Sequence, residues 1–451
     1  MSEDQAAKSA ALRGIEAPDV DALNFFRDRG LVSDPYPYLD TLRAQCPVLR
    51  ESHHDVVMVT GYDEAVEVYH DSASFSSCTS VTGPFPGFPV PLEGDDISEL
   101  IALHRHKLPM NDQLPTLDPP VHTDHRGLLM RLITPKRLKE NEAHMNRLVD
   151  QMLDPYLAPG EGEFIRGFAG PFTLLIIADL LGVPEEDQDE FLERIEHRPP
   201  SDGSIGSIGD DTLGHNPLEF LYEKFGEYIE DRRREPRADV LTGLAQATFP
   251  DGSTPPVADA AAVASNLFSA GQETTVRLLS SVLKILAEDS ELQALLRAEP
   301  DRIPNFIEET LRFESPVKGD FRLSKVPVTV GGVDLPAGTT VMVVNGAANR
   351  DPRRFENPGT FDVTRPNARH HVAFGRGIHT CPGGPLARAE GRIVVERLLA
   401  RTTDIRISES FHGPADNREY RYMPTFILRG LTRLRLEFTL ADTPAPPTPE
   451  N

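Results

Sequence analysis

Apolar residues recur at helical spacing over most of this chain and at strand spacing over two short regions. The clearest helical run extends from about Val257 to Glu288 and is introduced by Pro255-Pro256, a pair suited to a first turn. At 1.5 Å per residue it would be about 48 Å long, enough to cross a whole domain and to be buried over much of its course. Helical patterns also fill most of Pro119 to Leu244, a run from near Pro304 to Phe313 stopped by Ser315-Pro316, and a last run from near Pro385 to about Ala400. Strand patterns occupy Pro47–Glu51 and Asp55–Thr60, joined by the turn-like Ser52-His53-His54. More lie between Val326 and Val344 around Gly331-Gly332 and Pro336-Ala337-Gly338. The balance predicts a mainly α fold with minor β-sheets.

The interruptions carry information too. Thr82 to Leu92 holds so much Pro and Gly that it can be neither helix nor central strand; its Phe85 and Phe88 suggest a loop covering a pocket. Arg198 to Gly209 reads as a connector between helical runs, and Asn345 to Cys381 has little periodicity. Residues 1–20 and 441–451 read as disordered tails. No internal repeat and no dividing linker separates them.

Composition narrows the function classes. Among 451 residues, 39% are hydrophobic and the formal net charge is −24, so a general affinity for nucleic acid or an anionic membrane surface is not expected. No stretch has the roughly 20 apolar residues of a spanning helix, nor the apolar run of a signal peptide. Cys46, Cys78 and Cys381 are too few and too scattered for a disulfide framework, which fits a reducing cytoplasm.

The most specific segment is Phe374-Gly-Arg-Gly-Ile-His-Thr-Cys-Pro-Gly-Gly384, leading into the last helix. Gly375 and Gly377 permit turns that a Cβ resists, while Gly383 and Gly384 let the chain approach a flat ligand. Cys381 stands just before a helix, where free N–H groups and the positive dipole end favour thiolate over thiol. A lone cysteine in such a turn is more often a small buried side chain. A zinc site using His370, His371 or His379 is also open, although one with a single cysteine is unusual. Against both stands the order of residues: Phe374 to Gly383 resembles, at every fixed position, the Phe-Gly-x-Gly-x-His-x-Cys-x-Gly loop of the cytochrome P450 superfamily in its soluble bacterial form. The resemblance implies haem b (iron protoporphyrin IX), with Cys381 as axial iron ligand and Phe374, Gly375, Arg376, His379 and Gly383 around the haem. A thiolate ligand pushes electron density onto iron and favours O–O cleavage.

Other stretches match the same family. Ala270-Gly271-Gln272-Glu273-Thr274-Thr275 lies in the middle of the long helix, where Gly271 costs about 1 kcal/mol relative to Ala. A single exposed polar stripe would explain these residues, and so would a local bulge that opens a groove for oxygen. The stretch resembles the family's Ala-Gly-x-Asp/Glu-Thr motif, with Glu for the commoner Asp. By that resemblance Ala270 and Gly271 border the haem, Thr274 hydrogen-bonds bound oxygen and Glu273 relays protons from solvent. His122 and Arg126, at i and i+4, share a helix face; with Arg322 and His379 they match the family's contacts to the haem propionates. Glu309, Arg312 and Arg365 match a structural trio behind the haem, and Asn349 to Pro352 with Phe355 is a further structural stretch.

The resemblance covers roughly residues 30 to 440, implying one triangular-prism domain over 21–440 and a monomer. It implies a monooxygenase that inserts one oxygen atom of O₂ into a hydrophobic small molecule such as a terpenoid, steroid, fatty acid or polyketide. No Gly-x-Gly-x-x-Gly follows a strand, so electrons are expected from a separate ferredoxin and ferredoxin reductase, docking near some of Arg131, Lys136, Arg137, Arg376 and Arg388. The pocket is expected along Phe85 and Phe88, the connector near Arg198, Asn266 and Ser269, Val317 to Gly319, and Thr425-Phe426. Asn266 and Ser269 suggest a substrate with a hydroxyl or carbonyl. Lys318 would attract a carboxylate if it faced the pocket, although a solvent-facing lysine is the commoner outcome. Alternatives are a peroxide-using or coupling haem-thiolate enzyme and a non-catalytic haem protein that binds a ligand.

Overall fold

The computed structural model describes residues 18–196, 206–209 and 218–441. The expected tails therefore lie almost wholly outside the described residues, as do residues 198–205 of the expected connector.

The central helix runs Val257–Glu288, where the pattern placed it. Its first half carries consecutive alanines, Ala260 to Ala262, which with Val263, Ala264, Leu267 and Phe268 are buried. Small side chains there let the helices Glu219–Arg234 and Gly170–Leu181 pack closely against it. Phe268 anchors the contact, its ring 5.0 Å from that of Phe191 and 6.0 Å from that of Phe225. The second half buries Leu278, Leu279, Val282, Leu283 and Leu286 against the helices Ile303–Phe313 and Gly384–Arg401. The expected bulge is absent: the helix is α-helical throughout. Gly271 has a different purpose, since a Cβ there would lie 3.0 Å from the Ile177 side chain. It permits helix packing and is not among the residues that line the cavity beside this helix.

A five-stranded sheet stands beside this helical body, in the order Val48–Arg50, Val57–Val59, Thr340–Val343, Asp320–Ser324 and Phe75–Ser76. All pairs are antiparallel except Val57–Val59 with Thr340–Val343. The expected hairpin forms between Val328–Val330 and Val333–Leu335, turning at Gly331 and Gly332. A third sheet, Glu161–Glu163, Arg435–Leu440 and Thr402–Ile407, was not foreseen. Among the described residues no helix is long and apolar enough to cross a membrane.

The irregular stretch before the cysteine loop is held by charge. Glu309 accepts from Arg312 Nε and Nη2 at 2.7 Å each and from Arg365 Nε at 3.0 Å, and all three side chains are buried. The two guanidiniums also bind the carbonyls of Asn349, Glu356, Asn357, Pro358 and Thr360. Turned outward, the Glu309–Arg312 pair would be worth a few tenths of a kcal/mol. Buried, the loss of one partner costs about 3–5 kcal/mol.

Candidate active site

One cavity lies between the central helix and the cysteine loop. Asn266, Ser269, Ala270, Glu273, Thr274, Thr275 and Leu278 form one wall, and Ala373, Phe374, Gly375, Cys381 and Ala387 form the opposite one. Arg322 and His379 stand at its edge beside Tyr69, Asp320 and Asn345.

The cysteine loop is shaped by its glycines. Gly375 and Gly377 have φ of 63° and 67°, left-handed values that favour glycine. The Cys381 N–H donates to Phe374 O at 2.9 Å, closing the loop on itself. Cys381 is accessible, yet lies deep in the protein: its open side faces the cavity. The expected thiolate preference meets a stronger opposing effect. Burial pushes the thiol up, and the N–H groups of Gly383 and Gly384 with the Arg126 charge only partly offset it. A bound metal cation would reverse that balance, because a coordinating thiol is deprotonated outright.

On the opposite wall, Thr274 Oγ1 donates to Ala270 O at 2.7 Å, a bond to the preceding turn that needs no break in the helix. Glu273 is paired with Arg277 at 2.5 Å, and Arg277 is buried. That partner was readable in the sequence as a Glu–Arg pair at i and i+4.

Basic side chains gather at the rim. The His122 and His379 rings are 4.2 Å apart, Arg126 donates to Thr380 O at 2.6 Å, and Arg322 pairs with Asp320 at 2.6 Å. Burial, then the charges of Arg322, His122 and Arg126, hold His379 down to about 2. His122 Nε2 is buried without a hydrogen-bond partner among the described residues. Two guanidiniums beside histidines that burial keeps neutral, with His122 Nε2 unspent, suit an anion at this rim. A flat group with a metal at its centre and carboxylates at its edge fits this cavity.

Several expected contacts fall elsewhere. Arg376 turns to the carbonyls of His370 and His371, so its charge serves the loop. Phe85, Phe88, Lys318 and Phe426 are not among the cavity-lining residues. Phe85 joins an aromatic cluster with Phe26, His54 and Phe426; Phe88 packs near Cys78 and Ile97. Lys318 is neither solvent-facing nor in the pocket: it is buried and donates to Thr425 O. A second hairpin over residues 422–431, closed by the antiparallel bridge between Tyr422 and Leu431, does reach the cavity through Ile427 and Leu428, while Val317 lines it as expected. Residues 206–209 pair with the hairpin instead of lining the cavity. Tyr69, Gln113, Asp320 and Asn345 were missed. The Tyr69 hydroxyl lies 2.8 Å from Asp320 Oδ2 and 2.7 Å from Asn345 Oδ1, contacts between residues some 250 or more positions apart for which the local sequence carries no signal.

Residues 214–403 match the family model described as cytochrome P450. The cytochrome P450 monooxygenase PikC of Streptomyces venezuelae is 32% identical over 90% of this chain and 91% of its own length. The chain belongs to the cytochrome P450 family, a family of oxygen-inserting enzymes, and has its fold. Among solved structures it is similar to the substrate-free cytochrome P450 CYP150A6 of Mycobacterium marinum, 53% identical with a TM-score of 0.88 over 94% of this chain and 100% of that one. Cytochrome P450 144 of Mycobacterium tuberculosis is 31% identical over 92% of this chain and 91% of its own length.

Proposed function

We propose that this protein binds haem b through Cys381 and uses it to insert one oxygen atom of O₂ into a hydrophobic small molecule, with electrons from a separate ferredoxin and its reductase. One observation carries the reading: Cys381 of the cysteine loop and Thr274 of the central helix line one cavity, which Arg322 and His379 also line. We take residues 21–440 as one domain, since the central helix joins both walls to the helical core.

When bound, haem supplies the centre at which O₂ is held and reduced. The chain supplies the rest. Cys381 Sγ is the ligand, and Phe374, Gly375 and Ala270 bound the faces. Arg126 and Arg322 would offset the propionate charge, and the neutral His122 and His379 would hydrogen-bond to it. Thr274 Oγ1 holds a proton on the distal wall, free to leave Ala270 O for a better acceptor. Glu273 lines the cavity while paired with Arg277, and it would have to part from that arginine to carry protons inward. Leu278, Ala373, Val317, Ile427 and Leu428 give the wall an apolar character that suits a hydrophobic substrate.

The reading is tested on purified protein, reduced and exposed to carbon monoxide. A strongly red-shifted Soret band is expected, and Cys381→His should abolish it while haem is retained. Folded protein supplied with haem that never gives that band overturns the proposal.

A further inference from the structure

Asn266 does not act alone on the central helix. Its Nδ2 donates to Gln113 Oε1 at 2.5 Å. Gln113, only 1% exposed, donates from Nε2 to the Tyr222 hydroxyl. This chain of three side chains joins the 110–116 segment to the central helix and to the helix Glu219–Arg234. Gln113 and Asn266 both line the cavity.

The direction of the chain follows from its donors. Gln113 gives an amide N–H to Tyr222, whose hydroxyl oxygen accepts it. Gln113 then turns its nitrogen to Tyr222 and its oxygen to Asn266, and Asn266 must turn its nitrogen to Gln113. What remains for a ligand is the Asn266 carbonyl oxygen, an acceptor, with one spare N–H and the Ser269 hydroxyl one turn along the same wall. The segment presenting Gln113 is itself pinned. Arg105 binds the carbonyls of Asn111 and Thr116 at 2.7 and 3.1 Å, and Met110 holds a left-handed φ of 55°.

We propose that Asn266, oriented by Gln113 and Tyr222, selects substrates that carry a hydroxyl group over the ketones of the same skeleton. The inference rests on the cavity being the substrate pocket of the proposed monooxygenase. An alcohol donates to Asn266 Oδ1 and accepts from the spare N–H or from Ser269. A ketone brings no proton and leaves Oδ1 desolvated and unmatched.

Two matched pairs test it, cyclododecanol with cyclododecanone and testosterone with androstenedione, titrated into haem-loaded protein and followed by the Soret shift. In at least one pair the alcohol should bind about tenfold more tightly. Asn266→Leu should erase that preference. Gln113→Leu, which frees the Asn266 amide to turn over, should raise the ketone's affinity toward that of the alcohol. The inference is overturned if neither pair shows an alcohol preference in the wild type, or if the preference survives Asn266→Leu. Protein with the red-shifted carbon monoxide band but no such preference loses this inference alone, whereas absence of the band removes the reading beneath it.

Discussion

Lys318 Nζ donates to the carbonyl oxygen of Thr425 at 2.6 Å, which ties the segment after the helix Ile303–Phe313 to the hairpin above it. Burial, then the charges of Arg429 and Arg277, pull this amine down to about 7. Between that value and 10.5 the unfolded chain binds the extra proton, so stability rises with pH across the window and is lost as pH falls through about 7. Lys318→Met should flatten this slope, making the variant more stable than wild type by up to a few kcal/mol at neutral pH and leaving little difference near pH 10. Denaturant midpoints across that range check it, and parallel curves would show an ordinary lysine.

Glu390 has the opposite sign. It is buried, Oε2 has no partner among the described residues, and burial pushes the carboxyl up to about 8 against the pull of the Thr275 hydroxyl. The folded protein keeps a proton that the unfolded chain releases near 4.5, so stability declines as pH rises from 4.5 to about 8. Glu390→Gln should remove the decline and gain up to a few kcal/mol at pH 8 while changing little at pH 4.5. Thermal unfolding at the two pH values decides. Together the two groups place a shallow minimum of stability between about pH 7 and 8.

Thr274→Ala should leave electron consumption running but divert it, so that hydrogen peroxide per NAD(P)H oxidised rises severalfold. Thr274→Ser, which restores the hydroxyl, should recover most of the coupling. Peroxide and NAD(P)H measured in the same reaction separate this from a general loss of activity.

For the electron donor, the structure narrows the candidate charges. Arg137, Arg376 and Arg388 are committed to backbone carbonyls or to Glu308. Arg131 also gives one N–H to Thr248 O at 3.2 Å but stays exposed, and the Lys136 side chain is 85% exposed. Arg131→Glu with Lys136→Glu should slow reduction by an acidic ferredoxin several-fold, most at low ionic strength. The Soret shift on substrate binding should not move. Unchanged reduction kinetics would reject this docking face.

Local pattern revealed most of the helical body, because period 3.6 in Val257–Glu288 and the proline before Phe306 mark elements without help from distant residues. It revealed less of the sheets. Arg435–Leu440 alternates polar and apolar and could have been found, but its partner Glu161–Glu163 has no apolar side chain to announce it. At the site, Cys381, Thr274 and the rim histidines stood out through the resemblance of their stretches to the family's motifs. Gln113 and Tyr69 did not, since each matters through a side chain more than a hundred positions away. The hairpin illustrates the limit in miniature: Thr425 and Phe426 were the right place, but their neighbours Ile427 and Leu428 face the cavity.

Gly377 leaves no slack between two distant parts of the chain. A Cβ there would lie 2.2 Å from the Tyr69 carbonyl oxygen, so the cysteine loop rests directly on the end of the helix Tyr62–His70. The Tyr69 side chain of that same helix reaches Asp320 and Asn345 at the cavity edge. One short helix thus registers the sulfur and the rim against each other, and any force that tilts it would be transmitted to both at once.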